Sequence, residues 1–277
     1  MPQTTRKFCA LSFFTKKICK NDFCGNGFLF FQHTKKKRQK TGEKKEKMGR
    51  KLKITRDCYD EGEYLYKKKF MTFEPGLTVL IGCNGCGKTS LMQQIKKQLK
   101  KDLKLPFVAY DNQMDGGSHA MSAAICFADY RFAAQSFCSS EGEKISLNLQ
   151  KIAGQIGQML RKNPDKNEFW ILLDGVDSGM SIDAVEDLKR GLFDTIFEHY
   201  HDKDIYLLVT ANAYEMARGE RCFDVVNGKY VTIKSYERYR KAILASREYK
   251  DARITKAAES QNKEEAEESE EVPDEKA

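Results

Sequence analysis

With 277 residues, 40% of them hydrophobic, the chain can bury one sizeable core, and its polar flanks leave too little apolar content for a second. The net charge of +8 is segregated: residues 1–50 hold 14 Lys/Arg against 3 Asp/Glu, residues 257–277 hold 2 Lys against 9 Asp/Glu, and the body between is near neutral at +4. Nine cysteines, odd in number and irregularly spaced, exclude a disulfide framework and indicate a reducing cytoplasm.

Residues 1–47 show no sustained periodicity and end in the basic run Lys35 to Lys47, which predicts a solvated, unstructured arm. Cys19, Cys24 and His33 lack a second Cys/His pair to complete a tetrahedral zinc set and are expected to be idle. The apolar stretch Gly25 to Phe31 falls far short of the ~20 residues of a membrane span, and no secretory leader pattern is present, so the expected address is cytoplasmic with no membrane contact. The pattern changes at Met48, which makes that residue a candidate start of translation.

From Lys51 short apolar runs alternate with longer amphipathic ones, the signature of an α/β fold. Strands are predicted at Leu52–Thr55, Lys69–Phe73, Leu77–Ile81, Phe107–Tyr110, Phe169–Leu173, Ile205–Thr210, Cys222–Val226 and Tyr230–Ile233. Helices are predicted at 88–101, 119–137, 143–161, 182–199 and 235–246, the first placing Leu91, Ile95 and Leu99 on one face. One domain over 48–250 follows, and the Glu-rich stretch 257–277, without apolar spacing, is expected to be an unstructured acidic tail.

Gly82-Cys83-Asn84-Gly85-Cys86-Gly87-Lys88-Thr89 matches G-x-x-x-x-G-K-[ST] between a strand and a helix, the context that a phosphate-binding loop requires. Gly82, Gly85 and Gly87 let backbone N–H groups turn inward, with Asn84, Cys86 and Ser90 completing the cradle and the first helical turn. Lys88 would neutralise β/γ-phosphate charge, and the Thr89 hydroxyl would ligate Mg²⁺. Phe169 to Asp174 is a buried-strand run ending in an acid, 86 positions after Lys88, which makes Asp174 the second expected Mg²⁺ ligand. ATP with Mg²⁺ is the expected ligand pair.

Gly82 to Ser90 resembles the G-x-N-G-x-G-K-[ST]-[ST] loop of ABC-type ATPases of the SMC and RecF kind, and Ser139 to Lys144 resembles their S-x-G-E signature. The resemblance spans about 51–246 and implies a P-loop NTPase fold, a mostly parallel sheet flanked by helices, with an N-terminal antiparallel β element. It also implies that Ser140 and Gly142 reach the γ-phosphate held by a second copy, hence a homodimer formed on ATP binding. The signature turn can equally be read as a helix N-cap with Glu at its third position. After the Walker B acid the family has Glu where this chain has Gly175, and at its switch position His where this chain has Asn212. Rapid hydrolysis is therefore not expected. Asp177 is a candidate substitute base or, in the other reading, only caps a turn or helps the dimer contact; Asn212 is a candidate γ-phosphate contact, and Gln113 the candidate Q-loop residue with Asp111 and Asn112 as rivals. Only about 25 residues separate Gln113 from Ser140, which leaves no room for a coiled-coil arm. The resulting expectation is an ATP-dependent switch with slow or partner-stimulated hydrolysis. Its alternatives are an active ATPase using Asp177, or an adaptor whose basic run 35–50 binds nucleic acid. A nucleic acid or a protein is the expected partner.

Overall fold

The computed structural model describes residues 49–56, 64–115, 117–139 and 141–270. The basic arm 1–47, Met48, Ser140 and the last seven residues of the expected acidic tail lie outside them.

A six-stranded sheet forms the centre, in the order β4(Phe107–Asp111), β5(Glu168–Asp174), β6(Asp204–Thr210), β3(Gly76–Ile81), β7(Arg221–Asp224), β8(Lys229–Val231). The first five run parallel and β8 is antiparallel. A separate antiparallel pair, β1(Arg50–Lys53) and β2(Phe70–Phe73), supplies the expected N-terminal element. The architecture is the expected α/β P-loop NTPase fold, a mostly parallel sheet flanked by helices.

The central strands alternate between two cores, because successive side chains of a strand face opposite ways. Phe169, Ile171 and Leu173 of β5, with Ile205, Leu207 and Val209 of β6, face the core closed by α5(Glu141–Lys162) and α6(Ile182–Leu188). Trp170, Leu172, Tyr206 and Leu208 face the other, which is closed by β1, β2 and α1(Lys88–Gln98). Trp170 stacks on Tyr206 with ring centroids 4.3 Å apart. Its indole N–H donates to Glu168 at 2.9 Å, and Arg50 grips the same carboxylate, clasping the β1–β2 pair to the start of β5. Gln94 and Gln98 of α1 hydrogen-bond the backbone of Thr55 and Lys53, so helix and hairpin move as one.

Strand β1 lies two residues earlier than expected, other ends shift by one to three residues, and the larger differences are these. The predicted helix 119–137 is α3(Gly117–Cys126) and α4(Tyr130–Phe137), preceded by the short α2(Asn112–Asp115), because Ala128 turns left-handed and Asp129 accepts the N–H of Phe132. The predicted helix 182–199 passes from α6 through a π turn, Lys189–Phe193, into α7(Asp194–His199). Strand β7 stops at Asp224, whose carboxylate takes both the backbone and side-chain N–H groups of Asn227 and turns the chain into β8. A short α8(Tyr214–Ala217) precedes β7, and after β8 comes α9(Tyr236–Glu270), far longer than the predicted 235–246. The tail expected to be unstructured from Ala257 is thus helical to Glu270; its Ala, Glu and Lys content favours helix without any apolar face to bury.

Candidate functional site

The loop Gly82–Gly87 leaves the carboxyl end of β3 and enters α1, with Leu91 and Ile95 anchoring the helix beneath it. Two glycines are sterically required. A Cβ on Gly82 would lie 2.4 Å from Cys86 Sγ, and one on Gly87, whose φ is +97°, would lie 2.8 Å from the Tyr66 hydroxyl. That hydroxyl donates to the Gly87 carbonyl at 2.6 Å, pinning the last loop residue from below. Lys88 is buried, and its ammonium donates to the carbonyls of Gly82 at 2.7 Å and Cys83 at 3.1 Å, spanning the loop it follows. Burial pushes the Cys86 thiol up to about 11, so this side chain is neutral packing rather than a nucleophile.

The loop forms one wall of a cleft of about 500 Å³ at the carboxyl ends of β3, β4, β5 and β6, the place where parallel α/β sheets hold ligands. Of the expected site residues, Asn84, Gly85, Gly87, Lys88, Thr89, Ser90, Gln113, Asp174 and Asn212 all line it. Gly82 and Cys86 support the loop from behind. Leu65, Ser178 and Thr210 line it too, although no sequence motif marks them.

Because β6 lies between β3 and β5, the end of β6 meets the end of β5 inside the cleft. Thr210 donates to Asp174 Oδ1 at 2.6 Å and accepts the Gly175 N–H at 2.8 Å. Gly175 is left-handed, with φ +69°, and a Cβ there would sit 3.2 Å from Asn112 Cβ.

Asp177 is placed differently from a solvent-facing base. Its side chain is buried and is not part of the cleft wall, and Oδ2 accepts the N–H groups of Asn212 at 2.7 Å and Ala213 at 2.8 Å. Of the two sequence readings, base or turn cap, this geometry fits the cap: the carboxylate fixes the turn that presents Asn212. Burial raises the Asp177 carboxyl above its ordinary value, against the opposing pull of those two N–H groups. The Asn212 carbonyl also accepts from Tyr239 at 3.1 Å, so its backbone is held from two sides while its side chain stays exposed on the cleft.

The rivals at the end of β4 are separated by their bonding. Asp111 accepts the Gln113 N–H, and Asn112 accepts the Tyr110 hydroxyl, whereas the Gln113 side chain is exposed on the cleft wall. Gly142 sits in the first turn of α5, and among the described side chains none of that helix lines the cleft. Ser140 lies outside the described residues.

The donor set fits Mg²⁺. Among the described residues no three His, Cys, Asp or Glu side chains cluster as a protein-only metal cage. Mg²⁺ needs none here, since it is held through one or two carboxylates together with substrate phosphates. Asp174 and Thr89 on the same cleft would supply the carboxylate and the hydroxyl.

No family model matches this chain, and no curated protein does. Among solved structures it is similar to cbiO1 from Clostridium perfringens, described as part of the ABC transporter complex cbiONQ, at 14% identity and a TM-score of 0.38, covering 67% of this chain and 85% of that one. It is also similar to the ATP-binding cassette MJ0796, in a dimeric post-hydrolysis state bound to ADP and Pi, at 12% identity and a TM-score of 0.39, covering 69% of this chain and 98% of that one. The case for function therefore rests on this chain's own residues.

Proposed function

We propose that the chain binds ATP with Mg²⁺ in this cleft and acts as a switch. ATP pairs two copies, and hydrolysis that is slow, or stimulated by a nucleic acid or protein partner, separates them. The observation that carries the reading is Gly175: the residue after the Walker B acid has no carboxylate, is left-handed, and is backed closely by Asn112. The nearest substitute, Asp177, is engaged in holding the Asn212 turn.

In this reading the loop N–H groups and the amino end of α1 bind the β-phosphate, and Lys88 neutralises charge at the β/γ bridge. Bound Mg²⁺ supplies charge neutralisation between the β- and γ-phosphates; Thr89 and Asp174 would hold it, with Thr210 fixing the carboxylate. Gln113 and Asn212, both exposed on the cleft, would contact the γ-phosphate. Ser140 and Gly142 complete the site of the other copy.

Light scattering tests this. The chain is expected to be monomeric alone and dimeric with ATP and Mg²⁺, while Ser140→Arg binds ATP but stays monomeric. A wild type that remains monomeric at saturating ATP, or a Ser140→Arg protein that pairs normally, overturns the switch.

One observation favours the alternative of a brisk ATPase. Asp177 Oδ1 is buried with no hydrogen-bond partner, and the raised carboxyl value moves in the direction a general base requires. Asp177→Asn separates the readings, because the amide oxygen still accepts the two backbone N–H groups but cannot take a proton. Phosphate release unchanged in this variant, with and without DNA, supports the switch; its abolition supports the ATPase.

A further inference from the structure

We infer that Ser246, in the middle of α9, is a positioning residue that holds the phosphate loop in its receptive shape from outside. The inference rests on the nucleotide reading of the cleft.

A loop whose N–H groups point inward at an anion has few internal hydrogen bonds to keep it open, and left-handed glycines at 85 and 87 make it conformationally permissive. The Cys83 N–H is an exception to the inward pattern. It donates at 2.8 Å to Ser246 Oγ, 163 positions away in sequence, in a buried contact. Ser246 is itself buried, and its hydroxyl donates at 2.7 Å to the Ile243 carbonyl. With that proton committed, the oxygen lone pairs are left for Cys83. The hydroxyl is thus a fixed acceptor rather than a free rotor.

The next turn of the same helix face extends the grip. Lys250 brings its ammonium to 3.4 Å from the Asn84 carbonyl, and its Cδ lies 3.5 Å from where a Gly85 Cβ would project. Tyr249 donates at 2.6 Å to the Tyr64 carbonyl, tying α9 to the segment that carries Leu65 on the cleft wall and Tyr66 under Gly87. Cys83, Cys86 and Val226 pack with Ile243 and Tyr249 in a small apolar cluster beside the buried Cys83–Ser246 contact. Residues 246, 249 and 250 stand at helical spacing of three and four, so one face of α9 reaches the entry and the tip of the loop and the segment 64–66 beside it together. Ser246 takes the Cys83 N–H and Lys250 the Asn84 carbonyl, so both act on the shape of the cradle through the loop backbone.

The test uses the full chain and a fluorescent ATP analogue with Mg²⁺. Ser246→Ala removes the acceptor and leaves the Cys83 N–H without one. Its affinity is expected to fall about tenfold, mostly through slower association, with faster amide exchange in the peptide covering 82–87 and little change in the melting temperature of the nucleotide-free protein. Lys250→Ala, on the partly exposed side, is expected to fall about twofold in the same direction and serves if Ser246→Ala does not fold. Arg247→Ala, on the solvent side of the same turn, is expected to match wild type. A merely structural role would lower the melting temperature without changing affinity. Wild-type affinity and wild-type loop exchange in both Ser246→Ala and Lys250→Ala overturn the inference. Lys88→Ala is measured in parallel: if it binds like wild type the nucleotide reading has failed, and if it alone loses binding only the role of Ser246 has failed.

Discussion

Thr210 and Asp174, on neighbouring strands, share a 2.6 Å hydrogen bond, and the same threonine oxygen accepts the Gly175 N–H. One hydroxyl thus sets both the rotamer of the expected Mg²⁺ ligand and the start of the following turn. Thr210→Val keeps the shape and removes the hydroxyl. It should cost about 1 kcal/mol of stability. It should also weaken Mg²⁺-dependent ATP binding more than Mg²⁺-free binding, as titration calorimetry with and without the metal would show.

Lys88→Ala removes the cation proposed to neutralise the β/γ-phosphates, together with the bridge between the Gly82 and Cys83 carbonyls. ATP affinity should fall by about tenfold or more, each tenfold being about 1.4 kcal/mol. Calorimetry showing unchanged binding would remove the basis of the site.

Asp177 gives a pH signature. Its folded value is raised above its unfolded one, so between the two the folded chain binds the extra proton. Stability from this group is therefore fullest below the unfolded value and is lost as pH rises through the folded value. Melting curves should show wild type gaining on Asp177→Asn as pH is lowered from 7 toward the ordinary aspartate range. Asp177→Ala, which strands the N–H groups of Asn212 and Ala213, should cost about 1–3 kcal/mol at neutral pH.

Gly175→Glu supplies the acid that the sequence resemblance leads one to expect after Asp174, but in a strained geometry. A side chain in the left-handed region costs about 1–2 kcal/mol, and its Cβ would press on Asn112. We expect a lower melting temperature and no gain in phosphate release. In the double variant with Asn112→Gly, the contact is relieved and part of the stability should return.

The sequence carried the strands and the loop well, because buried parallel strands read as unbroken apolar runs and the phosphate loop needs its glycines and lysine in a fixed order. Leu77–Ile81 and Phe169–Leu173 are where they were expected, give or take a residue. Strand order was not legible, since nothing in a run such as Ile205–Thr210 says that it inserts between two others. Thr210 was therefore read as the polar end of a strand rather than as a site residue. The sequence left Asp177 open between base and turn cap for a related reason: which side of a turn a carboxylate faces depends on the neighbouring strand, here the Asn212–Ala213 N–H pair. Ser246 lies in no motif, and its contact spans most of the domain in sequence.

The domain limits are testable by truncation. Ile254, Thr255 and Lys256 are already exposed, so the end of α9 leaves the body before the acidic stretch begins. A chain covering 48–256 should melt within a few degrees of the full chain and bind ATP equally. A fall of many degrees would place the boundary elsewhere.

Strand β3 takes both its neighbours from late in the chain: Val79 pairs with Val209, 130 positions on, and Leu80 with Phe223 beyond it. While the chain is being synthesised, the phosphate loop is thus made early and framed last, with Leu77 to Ile81 waiting unpaired until most of the domain has left the ribosome. Such long-range closure slows folding and prolongs exposure of an apolar strand. A ligand of the finished cleft finds no complete site on the chain until β6 and β7 have paired with β3, so the candidate site is among the last parts of the domain to form.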